Sequence, residues 1–199
     1  MDALSMIAAM VIAYLIGSIP FGVILSKIFK LSDPRTLGSG NIGATNMLRT
    51  GRKDIAATTL VLDMLKGVIA VVVMDSTAPY ASALAVLAAV LGHCFPVWLN
   101  FKGGKGVATI IGGLIAFSWP VGFFTILVWI GMFYYKRISS LAALTALSLA
   151  PFATILNVDG ASALVILLTI LIVVSKHADN MRRLINGTEP VSKLFGEKK

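Results

Sequence analysis

The topology of this chain depends on one long apolar stretch, VATIIGGLIAFSWPVGFFTILVWIGMF at 107–133. Ser118-Trp119-Pro120 stands near its middle, so the stretch can form either one tilted helix or two shorter helices that break at this point. The choice changes the number of membrane crossings, and with it the side of the membrane on which every later loop lies.

The composition is that of a membrane protein. Of the 199 residues, 57% are apolar and 13% are charged, and the mean hydropathy is +0.90. A soluble domain has about 45–50% apolar and about 25% charged residues. We therefore predict one polytopic membrane domain over residues 1–199, with the N-terminal apolar run kept as a span because it lacks the basic start of a signal peptide. The lone cysteine, Cys94, excludes an internal disulfide.

Charged residues are distributed unevenly between the apolar runs. The runs cover 4–29, 55–74, 79–99, 107–133, 139–156 and 161–175. Lys and Arg in short loops mark the cytoplasmic side of a membrane protein. Here they fall in the segments 27–54, 100–106, 136–137 and 176–199, whereas Asp2, Asp75 and Asp159 stand at other ends without basic neighbours.

Only a break at Trp119-Pro120 places every basic segment on one side and the three acids on the other. We therefore predict an all-α integral membrane protein with seven transmembrane helices, the N-terminus outside and the C-terminus in the cytoplasm. The net charge of +8 then reflects cytoplasmic loops and not nucleic-acid binding. A helix over 107–118 rises only about 18 Å, against a hydrocarbon core of about 30 Å. We expect this fourth span to be short, with its ends shielded by neighbours or facing a polar cavity.

Three loops on the predicted cytoplasmic face carry residues that suit a phosphate. The first, GSGNIGATNMLR at 38–49, has the G-x-G-x-x-G spacing of dinucleotide loops, but a span precedes it where that interpretation needs a strand. Its glycines can still bring backbone N–H groups close to an anion, and Arg49 offers a planar fork for phosphate oxygens. The alternative is a Gly-rich turn with ordinary inside-positive charge. The neutral hydrogen-bonding residues of this loop are Ser39, Asn41, Thr45 and Asn46.

The second loop, Lys102-Gly-Gly-Lys-Gly106, lies just before the short fourth span and lacks the Walker spacing. Glycines before a helix N-terminus form an anion site, and Lys105 adds a full charge. In the third segment, after the last span, His177 and Asn180 are i, i+3 and share a helix face. The alternatives are a flexible inside-positive loop and a basic membrane-surface helix. We interpret His93 as a packed, hydrogen-bonded histidine.

Two ionisable residues interrupt the second apolar run. Asp63 and Lys66 lie i, i+3, about 13 Å beyond the predicted cytoplasmic start of the helix. Ionisable residues at such a depth are costly, so they are normally functional or paired with each other. The sequence leaves open whether this pair supports the site or takes part in its chemistry.

Four motifs in order identify a family resemblance. They are GSIPFG at 17–22, GSGNIGATN at 38–46, GHCFPVWLNFKGGKGVAT at 92–109 and HADNMRRLINGTE at 177–189. Over essentially its whole length the chain resembles the bacterial acyl-phosphate:glycerol-3-phosphate acyltransferase (PlsY) family. The resemblance implies transfer of a fatty acyl group from acyl phosphate to the 1-hydroxyl of glycerol 3-phosphate, giving lysophosphatidic acid and phosphate. This is the first step of bacterial phospholipid synthesis, and it implies a multi-pass protein of the bacterial inner membrane with its active site at the cytoplasmic face.

The resemblance also implies roles for individual residues. Those expected in catalysis are Ser39, Asn46 and His177, and the chemistry of the first loop adds Asn41 as an oxyanion donor. Those expected to bind substrate or its phosphate are Arg49, Gly103, Gly104, Lys105, Gly106 and Asn180, and the chemistry of the first loop adds Gly40 and Thr45. The expected partners are acyl phosphate, glycerol 3-phosphate, the lipid bilayer and, transiently, an acyl-phosphate-forming enzyme. No cofactor is expected, and no metal site, since Asp33, Asp54, Asp63 and Asp179 are scattered along the chain.

Acyl phosphate is already activated, so positioning and oxyanion stabilisation are the main tasks left to the protein. We favour direct transfer without an acyl-enzyme, because no base adjoins Ser39 in the sequence. The base is either His177, whose intrinsic pKa suits the task, or the substrate phosphate, whose second pKa is about 6. The competing hypothesis is a membrane transporter or flippase of a phosphorylated small molecule or lipid.

Overall fold

The computed structural model describes residues 2–74 and 79–192, and within these ranges the chain is helical and contains no strand. The all-α prediction is therefore confirmed for the described residues. Asp75 and the tail lysines Lys193, Lys198 and Lys199 lie outside them. The helices are α1 (Ala3–Gly17), α2 (Phe21–Ile28), α3 (Ala44–Met47), α4 (Lys53–Val72), α5 (Pro79–Cys94), α6 (Val107–Phe117), α7 (Trp119–Lys136), α8 (Ser139–Asn157), α9 (Gly160–Ser175) and α10 (Ala178–Ile185).

The apolar stretch at 107–133 does break at its middle. Ser118 has an extended conformation, with φ −150° and ψ 97°, and separates α6 from α7. Pro120 thus occupies the first turn of α7, where a missing N–H breaks no intrahelical hydrogen bond. The predicted pair of helices is present, and proline in a first turn costs no intrahelical hydrogen bond, unlike Pro151, which lies inside α8.

One further break was not predicted: residues 18–20 interrupt the first apolar run between α1 and α2, with a bend of 40°. A bend of 59° separates α9 from α10, at the predicted end of the last apolar run. Pro20 precedes α2 directly, so the first break follows the same rule as the one at Pro120. Both bends turn the chain at the ends of helices that border the polar loops.

The number of spans is a separate question from the number of helices. Within the described residues, three helical stretches are long and apolar enough to cross a membrane. They are α4 (Lys53–Val72), Tyr80–Leu99, which runs from α5 through the short turn after it, and α8 (Ser139–Asn157). The number rises to five if each bent pair, α1 with α2 and α9 with α10, forms one span. Helix α6 is apolar but shorter, as expected for the fourth span. The seven-span topology stays a prediction.

Helix α5 lies at the centre and packs against α1, α4, α6 and α9. Its buried residues are mostly small, among them Ala81, Ala85, Ala88 and Ala89. Small residues let helix backbones approach closely, which is how helices associate when lipid removes the hydrophobic drive between them. The larger side chains of the neighbouring helices, such as Ile110, Leu114 and Ile166, complete this core.

Helices α4 and α6 approach each other most closely through two glycines. A Cβ added at Gly67 would overlap the carbonyl oxygen of Thr109, and one added at Gly112 would overlap that of Met64. The short helix α6 is thereby fixed against the helix that carries Asp63 and Lys66.

We expect Gly112→Ala to weaken the α4–α6 contact, because the new methyl group meets backbone of α4 that cannot rotate away. Overpacking of this kind costs about 1–3 kcal/mol, and the thermal unfolding midpoint in detergent should fall by several degrees. Gly131→Ala on α7 is the matched control, since nothing lies within 4 Å of its added Cβ. Equal midpoints for the two variants would contradict this account of the packing.

Candidate active site

The first loop, between α2 and α4, is organised by one buried amide. Nδ2 of Asn46 donates to the carbonyl oxygens of Pro34, Asn41 and Leu37 at 2.7, 2.8 and 3.0 Å. Its Oδ1 accepts from the Ser39 N–H at 3.4 Å. A side chain bonded on both ends to loop backbone acts by holding the loop in shape. In this structure the Asn46 amide therefore holds the loop in shape, and its direct role in catalysis stays a prediction.

The glycines of the first loop make room for a cation. Gly38 and Gly40 adopt φ of +48° and +68°, the left-handed region in which glycine is unstrained. The Arg49 side chain lies across Gly38, where any Cβ would overlap its guanidinium. Ser39 and Arg49 are both exposed, and Arg49 has no carboxylate partner among the described residues. The two other arginines of this loop do form ion pairs: Arg35 with Asp33 at 2.5 Å, and Arg52 with Asp54 at 2.6 Å.

The second loop uses its glycine amides differently from the expectation that they wrap an anion. The N–H of Gly104 donates to the carbonyl of His93 at 3.0 Å, and that of Gly103 to the carbonyl of Cys94 at 3.2 Å. These bonds satisfy carbonyls at the C-terminal end of α5. Gly106, with φ +87°, then turns the chain into α6. What the loop presents near the N-terminus of α6 is the side chain of Lys105.

Lys105 contacts the third segment directly. Its Nζ donates to Oδ1 of Asn180 at 2.5 Å, and Nδ2 of Asn180 donates to Oε1 of Glu189 at 2.5 Å. Burial lowers the pKa of Lys105 from its usual value, and the charge of Glu189 opposes this shift. The predicted proximity of Lys105 and Asn180 is thus present, with Glu189 as a third member that the sequence analysis did not assign.

Glu189 accepts hydrogen bonds from three residues on two helices, α8 and α10. Besides Asn180 it accepts from Ser140 Oγ and from Arg183 Nε, both at 2.6 Å. Burial favours the neutral carboxyl, but these hydrogen bonds and the charge of Arg183 outweigh it and keep the pKa of Glu189 below its usual value. Glu189 therefore stays ionised and fixes the segment after α10 against the start of α8.

His177 is buried at the junction between α9 and α10. Its Nδ1 lies 2.7 Å from the carbonyl oxygen of Val173, which can only accept. The proton therefore resides on Nδ1, and Nε2 keeps its lone pair. Burial lowers the pKa of His177 to about 4, the charge of Lys105 adds to the shift, and the Val173 bond opposes it. At neutral pH this imidazole is uncharged.

The start of α8 joins the first loop to the third segment. Oγ of Ser139 lies 3.0 Å from Oγ1 of Thr45, and its neighbour Ser140 donates to Glu189. Sequence reasoning missed Ser139, Ser140 and Glu189. The available signals were the position of Glu189 inside the fourth motif and the two serines directly after the basic Lys136-Arg137 segment.

The pair within α4 is buried and has a third member. Lys66 Nζ lies 2.7 Å from Asp63 Oδ1, and His93 Nδ1 lies 3.6 Å from the same oxygen. Lys66 also donates to the carbonyl of Ile19, in the break between α1 and α2, at 3.0 Å. Internal pairing, one of the two interpretations open from the sequence, is what the structure shows. Among the described residues no group of three or more His, Cys, Asp or Glu side chains could hold a metal ion.

Comparison with known proteins gives the family. A family model described as glycerol-3-phosphate acyltransferase matches residues 7–187. Proteins named glycerol-3-phosphate acyltransferase are 49% identical over 187 residues in Brucella anthropi, covering 94% of this chain and 93% of that one. In Rhodopseudomonas palustris strain HaA2 the identity is 51% over 195 residues, covering 97% of each chain.

Two solved structures have the same fold. The crystal structure of PlsY (YgiH), an integral membrane glycerol 3-phosphate acyltransferase, in its glycerol 3-phosphate form is 38% identical, with a TM-score of 0.86. Its lysophosphatidic acid form is 36% identical with the same TM-score, and each comparison covers 94% of this chain and 95% of the other. An integral membrane protein is thereby confirmed, and the chain belongs to the glycerol-3-phosphate acyltransferase family.

Proposed function

We propose that this protein transfers a fatty acyl group from acyl phosphate to the 1-hydroxyl of glycerol 3-phosphate, giving lysophosphatidic acid and phosphate. The observation that carries the proposal is the contact of Lys105 with Asn180 beside His177, within a chain that belongs to this acyltransferase family. PlsY, the similar protein of known structure, has a glycerol 3-phosphate form and a lysophosphatidic acid form. These two molecules are the acceptor and the product of the proposed reaction.

The site faces the cytoplasm in this proposal, with seven spans, the N-terminus outside and the C-terminus inside. The support is the distribution of charge. The basic loops lie beside the site residues, whereas Asp2 and Asp159 stand at the opposite ends of α1 and α9. Both acids accept a backbone N–H in the first turn of their helix, from Ser5 at 2.8 Å and Ser162 at 3.0 Å. They are thus helix caps as well as markers of the outer face.

Two cations divide the work of binding phosphate. Arg49 is exposed and not paired with a carboxylate in the described part of the chain, so its guanidinium is free to bind phosphate oxygens in two places. Lys105 is bonded to an amide oxygen and not to a carboxylate, so its positive charge is available to a second phosphate. Gly40, Gly103, Gly104 and Gly106 shape the two loops that present these cations. Holding both substrates in this way brings the acceptor hydroxyl close to the acyl carbon. Because acyl phosphate is already activated, this positioning is the main help that the reaction needs from the protein.

The developing oxyanion needs neutral donors in the first loop. The Ser39 hydroxyl is exposed there, and the Nδ2 amide group of Asn41 is a donor on the same loop. Ser39 and the Asn41 amide are the proposed oxyanion donors, and Thr45 and Asn46 hold their loop. The acceptor hydroxyl forms the new bond to the acyl carbon, the bond from that carbon to the phosphate oxygen breaks, and phosphate departs with the bonding electrons.

The proton of the attacking hydroxyl goes to the substrate phosphate in this mechanism. A phosphate with a second pKa of about 6 is better matched to neutral pH than an imidazole whose pKa is about 4. His177 then orients the acceptor through the lone pair on Nε2. No base lies within hydrogen-bond distance of the Ser39 hydroxyl in the described structure, which supports direct transfer without an acyl-enzyme. Acyl phosphate reaches the site from the bilayer of the bacterial inner membrane or from transient contact with the enzyme that forms it, and no cofactor takes part.

The reaction itself is testable with detergent-purified protein, acyl phosphate labelled in its acyl chain, and EDTA. We expect phosphate release and labelled lysophosphatidic acid only when glycerol 3-phosphate is present. Without the acceptor, no label should remain covalently attached to the protein. Phosphate release that does not depend on glycerol 3-phosphate would overturn the proposal and favour the transporter hypothesis. Detection of acylated Ser39 would overturn only the direct-transfer mechanism.

Arg49→Met should lower kcat/KM by about tenfold or more, because a charge-assisted phosphate contact is lost. Arg52→Met is the matched control from the same loop. Arg52 is already paired with Asp54, so its loss should change kcat/KM by no more than about twofold. Similar losses in both variants would mean that general positive charge, and not a specific contact, serves the substrate.

The state of His177 gives a pH dependence of stability. Its pKa is about 4 in the folded protein and about 6.5 when exposed. As the pH falls from 6.5 to 4, the unfolded chain therefore takes up a proton that the folded chain does not, and stability is lost. We expect the thermal midpoint of the wild type to fall more steeply over this interval than that of His177→Gln. Parallel curves for the two proteins would show that His177 is not held neutral.

A further inference from the structure

His93 lies between the buried Asp63–Lys66 pair and the second loop. The proposed reaction gives it no role. Its side chain is only 4% exposed. Nδ1 faces Asp63 at 3.6 Å, too far for a hydrogen bond, and this nitrogen has no other partner among the described residues. A buried polar atom left without a partner is destabilising. The imidazole is thus more than a well-satisfied core side chain, which was the interpretation made from the sequence.

The other edge of the ring defines the position of Gly104. A Cβ added to Gly104 would overlap Nε2 of His93, and Cδ2 and Cε1 would each lie at 3.0 Å from it. The carbonyl of His93 also accepts the N–H of Gly104 at 3.0 Å. One residue thus holds Gly104 twice, by its backbone and by its side chain, and the next residue along the chain is Lys105.

The Asp63–Lys66 pair, which faces Nδ1 of His93, is held in place by its own contacts. Asp63 is paired with Lys66 at 2.7 Å, and Lys66 is bonded at 3.0 Å to the carbonyl of Ile19. Helix α4, which carries both residues, is locked against α6 by Gly67. The ring of His93 therefore stands on a fixed base formed by α4 and by the break between α1 and α2.

We infer that His93 is a positioning residue for Lys105, so that the buried Asp63–Lys66 pair sets the place of the ammonium group at Asn180. The inference rests on the proposed function, because it assigns Lys105 to a substrate phosphate. It also gives the charged pair inside α4 a structural role, which is to support the residue that holds Gly104 in place.

The test is a set of steady-state measurements on variants that change the His93–Gly104 contact. Lys105→Met first identifies the substrate whose KM depends on the ammonium. His93→Asn and Gly104→Ala should each raise that same KM by about five- to tenfold, which lies within the range of coupling between residues in contact, with kcat changed by no more than about twofold. In the Lys105→Met background the same substitutions should change that KM by less than about twofold, because the group they position is gone.

Two results would overturn the inference. One is an equal KM increase with and without the Lys105 side chain, which would show that His93 supports the fold in general. The other is a loss shared by kcat and by both KM values.

A size-complementation pair tests the contact itself without activity. The smaller side chain of His93→Asn leaves room for the methyl group of Gly104→Ala, so that methyl should lower the thermal midpoint in the wild type and not in His93→Asn. Gly103→Ala is the matched control, since its methyl would meet the carbonyls of His93 and Cys94, which remain in both proteins. Equal loss from Gly104→Ala in both backgrounds would overturn the contact. A wild type without turnover would overturn the proposed function instead, and the thermal series would still decide whether His93 sets the position of Gly104.

Discussion

Every carbonyl group left over where an apolar helix ends must find a donor within the chain, because lipid offers none. The site of this protein is built from the donors that meet this requirement. Lys66 donates to the carbonyl of Ile19 in the first break, and the Tyr14 hydroxyl donates to the carbonyl of Phe95 at 2.7 Å. His177 donates to the carbonyl of Val173. The amides of Gly103 and Gly104 serve the end of α5. Several of the hydrogen bonds that cap helix ends therefore also shape the second loop and the junction at His177.

The same constraint separates two kinds of charge. Charges that hold the structure are closed in pairs: Lys66 with Asp63, Arg52 with Asp54, and Arg183 with Glu189. Lys105 is bonded to an amide, and Arg49 lies over a glycine without a carboxylate partner in the described structure. The proposed site for two anions needs cations whose charge is not already neutralised, and Lys105 and Arg49 meet this condition.

Much of the site could be predicted from the sequence because glycine, lysine and arginine in loops beside apolar runs have few physical uses. Lys105 was assigned to a phosphate on that basis, Asn180 was assigned to the site by the family resemblance, and the break at Trp119-Pro120 was predicted from the distribution of charge. The exact hydrogen bonds could not be predicted. Asn46 carries the side chain of a catalytic donor yet bonds to three loop carbonyls, and Gly103 and Gly104 donate to α5 where an anion was expected. Both outcomes depend on which backbone groups the fold leaves unsatisfied, and a linear motif does not contain that information.

By itself, the sequence determined that the protein is helical, belongs in a membrane, and carries three polar segments suited to phosphate. These properties follow from the composition, from the apolar runs and the basic segments between them, and from the chemistry of neighbouring residues. Only the tertiary structure decided that His93 stands between Asp63 and Gly104, and that Ser139 and Ser140 join the first loop to Glu189. Those contacts bring together residues far apart along the chain, and their formation depends on how the small residues of α5 and the glycines of α4 and α6 let the helices approach.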